Sequence, residues 1–272
     1  MVIFMATKIW IVTLFPAYFK PLTQEGVVAR AFQEQFDLHL IDLRPLGLGD
    51  YQHVDDTPYG GGPGMIMRPD VLAKAMQEIV TQGHYQEAAQ NNWPTEVKFT
   101  RHNYGRWEET GKFRGLVVIH LTASGTPFTA SLAKSFAAAW MNYDVVLLCG
   151  RYEGIDQRFI EHYVHQEVSV GDFVLSGGEI AAMAVLDATA RWLPGVLHNG
   201  DSLRQESFEN HLLEYPQYTR PAVFEDDPVP PVLVSGNHAQ IKAWQENMAW
   251  QRTSTLRSDL LTKDASSGKK RS

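Results

Sequence analysis

The chain of 272 residues contains a single cysteine, Cys149, which excludes an internal disulfide framework and a multi-cysteine zinc site. Cys149 closes the apolar run DVVLLC, where a buried, inert thiol is the expectation. No stretch of about 18 uninterrupted apolar residues occurs, so no membrane span is expected. Lys8 breaks the apolar opening MVIFMATKIWIVTLFPAYF, and no small-residue cleavage site follows it. The protein is therefore expected in the cytoplasm, with no membrane partner. Neither GxGxxG nor GxxxxGKS/T is present, so a dinucleotide fold and a P-loop both lack their signature. No internal repeat is visible, and 21 glycines and 14 prolines are close to average usage.

What is present is a chain 44% hydrophobic and 20% charged, enough apolar content for one sizeable core or two smaller ones. KIWIVTLF, LHLIDL, GLVVIHLT and DVVLLCG are short, rich in β-branched residues and mostly not alternating. They read as strands covered on both faces. Residues 70 to 82, DVLAKAMQEIVTQ, place Val71, Leu72, Ala75, Met76, Ile79 and Val80 on one helical stripe, and residues 179 to 193 form a second helix. Strands alternating with helices predict an α/β domain with a mostly parallel sheet and helices on both faces. That domain is expected over residues 1–195, with the polar, aperiodic stretch 84–114 as an inserted surface excursion. Residues 196–231 are proline-dotted and read as a linker or lid. Residues 232–272 return to helical spacing and are expected to form a small all-α C-terminal domain.

The net charge of −7 is unevenly distributed. From Val232 onward there are seven Lys and Arg against three Asp and Glu, leaving seventeen against twenty-eight before it. An acidic body thus carries a basic end, the asymmetry expected if that end meets phosphate, although an ordinary solvated helix surface gives the same balance.

Three glycine-bearing turns follow apolar segments: LTASG after VVIH, GRYEGID after VVLLC, and LSGGE after VGDFV. In open parallel sheets ligands bind outside the carboxyl ends of strands. Glycine there lets backbone approach a ligand closely, so amides and carbonyls can read the edge of a flat heterocycle. Three tight connections with no ligand are the bland alternative. A fourth turn, DDTPYGGGPGM at residues 55 to 65, is denser in glycine, each of which carries an entropic cost of about 0.5–1 kcal/mol relative to alanine. Close backbone packing or a ligand wall explains such a density.

Taken in order, DDTPYGGGPGM, CGRYEGID, SVGDFVLSGGE, RWLPGVL and VPPVLVSGNHAQI closely resemble the bacterial tRNA (guanine-N1)-methyltransferases, the TrmD family of the SPOUT superfamily. The resemblance covers nearly the whole chain outside 84–114. It implies a deep trefoil knot in the N-terminal domain, which pattern reasoning treats as essentially absent. It also implies a homodimer with active sites at the subunit interface, and methyl transfer from S-adenosylmethionine to N1 of the guanosine immediately 3′ of the anticodon. The cofactor site would be lined by His120, Leu121, Thr122, Ala123, Ser124 and Gly125 from the first turn. Gly150 and Glu153 would come from the second, and Ser169, Val170, Gly171, Phe173, Leu175, Gly177 and Gly178 from the third. Asp55, Tyr59, Gly60, Gly61 and Gly62 would meet the tRNA anticodon stem-loop, and Lys242, Arg252, Arg257 and Lys263 its phosphates.

Guanine N1 carries a proton near neutral pH, so a base is required. The family places an aspartate in a D-S-F motif; here the stretch is QESF, which puts Glu206 in that role with one extra methylene. Arg191 of RWLPG would stabilise charge growing on guanine O6, and Glu153 would hold the guanine edge or orient the cofactor. The plainer alternatives are a helix-end salt bridge for Arg191 and a solvated loop position for Glu206. Thr57 replaces the arginine common in the family's DDRPYGGG, and LTASG replaces the frequent LSPQG. The family is commonly magnesium-dependent, yet no metal-ligand cluster stands out. Two other functions stay open: a SPOUT methyltransferase acting on ribose 2′-hydroxyls or ribosomal RNA, and a catalytically weak RNA-binding relative.

Overall fold

The computed structural model describes residues 6–26, 28–89, 98, 100–108, 111–197 and 207–261. The chain divides into two units, Met1–Leu197 and His198–Ser272.

The first unit is built on a seven-stranded sheet. Strands β1 (Thr7–Thr13), β2 (Phe36–Asp42), β7 (Phe113–Pro127), β8 (Tyr143–Cys149) and β9 (Gln166–Ser169) pair in parallel. Strands β5 (Gln86–Glu87) and β6 (Tyr104–Trp107) add an antiparallel edge, giving the order β2-β1-β8-β7-β6-β5, with β9 also on β7. A short pair, β3 (Asp55–Asp56) and β4 (Ile66–Met67), flanks the glycine-rich turn.

Successive side chains of a strand point to opposite faces, and this sheet is apolar on both. Ile9, Ile11, Val117, Ile119, Val145 and Leu147 face one core, shared with α2 (Ala29–Glu34), α4 (Ala130–Trp140) and α6 (Glu179–Ala190) through Ala31, Phe136, Trp140 and Val185. Trp10, Val12, Val118, Val146 and Leu148 face the other, covered by α3 (Pro69–Gly83) and α5 (Gln157–Tyr163) through Leu72, Met76, Ile79 and Phe159. Full burial of each such side chain is worth about 1.5–3 kcal/mol. This two-sided burial is why β1, β7 and β8 show no polar alternation; β2 differs from the expectation, since it is an edge strand with Asp37 and Leu40 exposed. The short helix α1 (Lys20–Gln24) lies between β1 and α2 in sequence.

Two further expectations are corrected. Among the described residues of 84–114 the expected surface excursion is not found: Tyr85, Asn103, Arg106 and Arg114 are buried, and these residues supply the antiparallel edge. The strand that precedes the third turn is the short Gln166–Ser169, which ends before the apolar segment VGDFV. LTASG does not end a strand, because β7 continues through it to Pro127 with an irregularity between Leu121 and Thr126. Both Leu121 and Thr126 pair with Val168, and a Cβ on Gly125 would lie 2.4 Å from the Val168 nitrogen. Only glycine lets this bulge pass so close to β9.

The second unit contains the two-stranded pair β10 (Val223–Phe224) and β11 (Asp227–Pro228) and the helix α7 (His238–Leu256). Asn237 caps α7 by accepting from the Gln240 N–H at 3.2 Å. Thr253, buried on α7, accepts from the Leu213 N–H at 2.8 Å and donates to the Ala249 carbonyl at 2.7 Å.

Candidate active site

The glycine turns that follow β8 and β9 converge with the bulged segment of β7 and enclose a cleft of about 220 Å³. Every residue expected there lines it except Ser124 and Gly125, which lie in the β7 bulge. The lining also includes Arg151, Tyr152, Gly154, Val168, Val174, Ser176 and Ala181, none of which the sequence reading assigned to it. Arg151, Tyr152 and Gly154 belong to the same GRYEG turn as Gly150, so contiguity was the available signal.

Backbone holds the turns together. The Gly178 N–H donates to the Gly150 carbonyl at 2.9 Å, and a Cβ on Gly178 would stand 2.7 Å from the Cys149 Cα. Within the third turn the Phe173 N–H donates to the Gly171 carbonyl at 2.9 Å, and the Ser169 hydroxyl donates to the same oxygen at 3.0 Å. A Cβ on Gly150 would lie 3.1 Å from His120 Nε2. His120 is buried, with Nδ1 3.3 Å from Glu167 Oε1. That hydrogen bond holds the Glu167 carboxyl below its ordinary range, against the opposing effect of burial.

Arg151 is the one lysine or arginine in the lining, and its guanidinium is committed to the Ser176 carbonyl and the Glu179 carboxylate. A wall of backbone amides and carbonyls with Leu121, Val168, Val170, Leu175 and Ala181 suits a flat heterocycle and a thin aliphatic tail. It lacks the free cationic groups a polyphosphate needs. These residues fit S-adenosylmethionine.

The glycine-rich turn packs beside this cleft. The Glu153 N–H donates to the Met65 carbonyl at 3.0 Å, and the Met67 N–H donates to the Gly154 carbonyl at 2.9 Å. A Cβ on Gly64 would meet the exposed Glu153 side chain at 2.4 Å, and its φ of +84° is a backbone conformation that favours glycine. Gly61, at φ +77°, has open space around it and serves the path of the turn instead. Tyr59 is 98% exposed, Glu153 is exposed at the cleft, and Asp55 is partly buried. Tyr152, itself at φ 59°, has its hydroxyl pKa raised by partial burial and then by the neighbouring Asp55 carboxylate, to which it is hydrogen-bonded.

Arg191 caps the far end of α6 and does not line the cleft. The 12-residue helix separates it by about 18 Å from the Glu179 end that does. Glu206 and Lys263 lie outside the described residues. Lys242 and Arg252 are exposed on α7, while Arg257 pairs with Asp259 at 2.8 Å. Among the described residues no three His, Cys, Asp or Glu side chains gather as a metal site, and no helix is long and apolar enough to cross a membrane.

Fold and cleft together define a parallel-rich α/β protein with a backbone-lined ligand site at its strand ends. A family model described as tRNA (Guanine-1)-methyltransferase TrmD matches residues 7–263. The chain belongs to that family. It is similar to the tRNA (guanine-N(1)-)-methyltransferase of Roseobacter denitrificans, 44% identical over 251 residues, which covers 92% of this chain and 91% of the relative. The enzymes of the same name from Ruegeria pomeroyi, 43% identical over 92% of this chain and 90% of the relative, and Hahella chejuensis, 40% identical over 94% and 88%, are also similar.

Proposed function

We infer that this chain is a tRNA (guanine-N1)-methyltransferase that takes its methyl group from S-adenosylmethionine. Family membership over residues 7–263 carries the activity. The glycine-turn cleft supports the choice of co-substrate, since its walls are backbone and aliphatic side chains and its one lysine or arginine is engaged elsewhere. The proposed target is N1 of the guanosine immediately 3′ of the anticodon, in the cytoplasm.

When bound, the co-substrate supplies an electrophilic methyl on a sulfonium. The chain's own task is to make guanine N1 a nucleophile. Glu206 accepts the N1 proton, and as it leaves, Arg191 balances the charge developing on O6. Glu153, at the cleft beside Gly64, holds the guanine edge. The target base leaves the anticodon-loop stack cheaply because that loop is already partly single-stranded. Lys242 and Arg252 meet the phosphates of the stem-loop.

The proposed site is completed across a homodimer. Two observations support this: Arg191 sits a helix length from the cleft, and the cleft mouth carries Phe173 at 54% and Val174 at 87% exposure, apolar surface that a second copy would cover. The proposed fold includes the trefoil knot that the family resemblance implies.

The deciding experiment is methyl transfer from labelled S-adenosylmethionine to transcripts bearing guanosine or adenosine 3′ of the anticodon, with wild type and Glu206→Gln side by side. Transfer only to the guanosine transcript, with the variant slower by about a hundredfold or more, is the expected result. Equal rates for the two proteins would remove Glu206 from the base role. Methylation of a ribose hydroxyl, identified by nucleoside mass spectrometry, would overturn the choice of target atom.

A further inference from the structure

Arg151 enters the cleft wall without presenting its charge to it. Its Nη2 lies 2.8 Å from Glu179 Oε2, and its Nη1 donates to the Ser176 carbonyl at 3.0 Å. The guanidinium stacks 4.3 Å from the Phe15 ring centre. Its stem runs beneath Gly177, where a Cβ would come within 2.2 Å of Nε. Glu179, 1% exposed at the start of α6, accepts from the Thr13 hydroxyl at 2.8 Å through Oε1. Thr13 in turn accepts from the Phe15 N–H at 2.9 Å. One connected set of bonds therefore joins the second turn, the third turn, the start of α6 and the end of β1.

We propose that Arg151 and Glu179 are the positioning residues of the methyl-donor cleft: their pair fixes the third turn against the second, and so sets donor affinity through the shape of the wall and not through a charge offered to the donor. The inference rests on the reading of this cleft as the S-adenosylmethionine site.

The physical case has two parts. A buried ion pair is a poor device for stability, because removing both charges from water offsets most of their attraction. What it supplies is direction. The planar guanidinium offers several N–H donors in one rigid fork; here one donates to the Ser176 carbonyl while the fork stands at ion-pair distance, 2.8 Å, from the Glu179 carboxylate, so groups from two segments are held by one side chain. The second part is the character of the turns. Gly150, Gly154, Gly171, Gly177 and Gly178 leave both with broad backbone freedom. Their one backbone link, Gly178 to Gly150, closes a single point. Without the arginine fork the third turn samples positions in which the cleft is not formed, and apparent affinity falls in proportion to the fraction that is formed.

The test uses the full-length protein and S-adenosylhomocysteine as the binding probe, measured by calorimetry beside a thermal melt. Arg151→Met keeps the stem and removes the fork; it is expected to raise the dissociation constant about tenfold or more, through loss of the formed cleft. KM for the methyl donor should rise by the same factor, with kcat and KM for tRNA changed less than about threefold. Arg151→Lys keeps the charge but not the fork and should recover part of the loss. Thr13→Val and Glu179→Gln cut the same set of bonds at positions outside the cleft lining. Each should weaken the probe about threefold or more, and they decide the matter if Arg151→Met does not fold. Unchanged probe affinity in folded variants would overturn the proposal, as would a loss confined to kcat or to tRNA KM. A wild type that binds no S-adenosylhomocysteine would overturn the reading of the cleft itself, a result distinct from variants that bind as wild type does.

Discussion

The two ends of strand β8 carry the same chemistry in opposite settings. At its start, Asp144 is fully buried and accepts from the Lys8 N–H at 2.9 Å, the Tyr85 hydroxyl at 2.7 Å and Arg106 Nε at 2.8 Å, with Arg114 Nη1 at 3.6 Å. Just past its end, Arg151 meets Glu179 at 2.8 Å. Around Asp144 the neighbours are large side chains, and the hydroxyl of Tyr85 is pushed far above its ordinary pKa by burial and then by the aspartate. Around Arg151 the neighbours are glycine turns, and the space beside them is a cleft. A buried ion pair does not by itself mark a functional site. What separates the two ends is the backbone: side chains fill one, and glycines leave the other open.

Breaking the closed end has the largest expected effect. Asp144→Ala leaves Arg106 without its buried partner, while Arg114 keeps Glu108 at 2.8 Å, and should cost about 3–5 kcal/mol, read as a lower urea midpoint. Next comes a pH effect in the same region. His165 is buried and its Nδ1 accepts from the Val118 N–H at 3.0 Å, so Nε2 carries the hydrogen and donates to Asn103 Oδ1 at 3.1 Å. Burial, then the charge of Lys98, lowers its pKa to about 3. The unfolded chain takes up this proton near pH 6.5 and the folded chain does not, so the contribution is complete above that value and is lost as pH falls from 6.5 towards 3. Stability should drop by about 1.4 kcal/mol per pH unit in that window. Urea titrations at a series of pH values check the slope, and His165→Gln should flatten it.

The open end responds in function more than in stability. Gly178→Ala drives a Cβ to 2.7 Å from the Cys149 backbone; it should cost about 1–3 kcal/mol and remove most S-adenosylhomocysteine binding, measured by calorimetry. Gly61→Ala has open space but a left-handed φ, so a cost of about 1 kcal/mol with unchanged probe affinity is expected. Equal loss of probe affinity in both variants would erase the distinction between packing glycines and turn glycines. The smallest stability effect belongs to Lys242→Ala and Arg252→Ala on α7. These should leave the melt and probe affinity unchanged, weaken tRNA binding, and each reduce the salt slope of that binding by about one.

Several elements were legible because they depend on local pattern. The stripe from Val71 to Val80 gave α3 to within a residue at each end, and short apolar-rich runs gave β1, β2 and β8. The cleft lining was legible as glycine turns and a family resemblance. The stretch 84–114 was not, because its buried members are polar. Arg106 and Arg114 look like surface residues until Asp144, thirty or more positions away, is placed beside them. The short strand Gln166–Ser169 escaped for a related reason: its neighbours in β7, not its composition, make it a strand.

The sequence by itself determined the two-sided α/β core, the presence of glycine turns and the family, since hydrophobic periodicity, backbone freedom and ordered motifs are properties of neighbouring residues. Only the tertiary structure decided that Thr13, Arg151, Ser176 and Glu179 form one set of bonds beneath the cleft, and that Arg191 stands a helix length away from it. Charge pairing in a low-dielectric interior acts through space over a few ångströms, and the chain brings such groups together from positions more than a hundred residues apart.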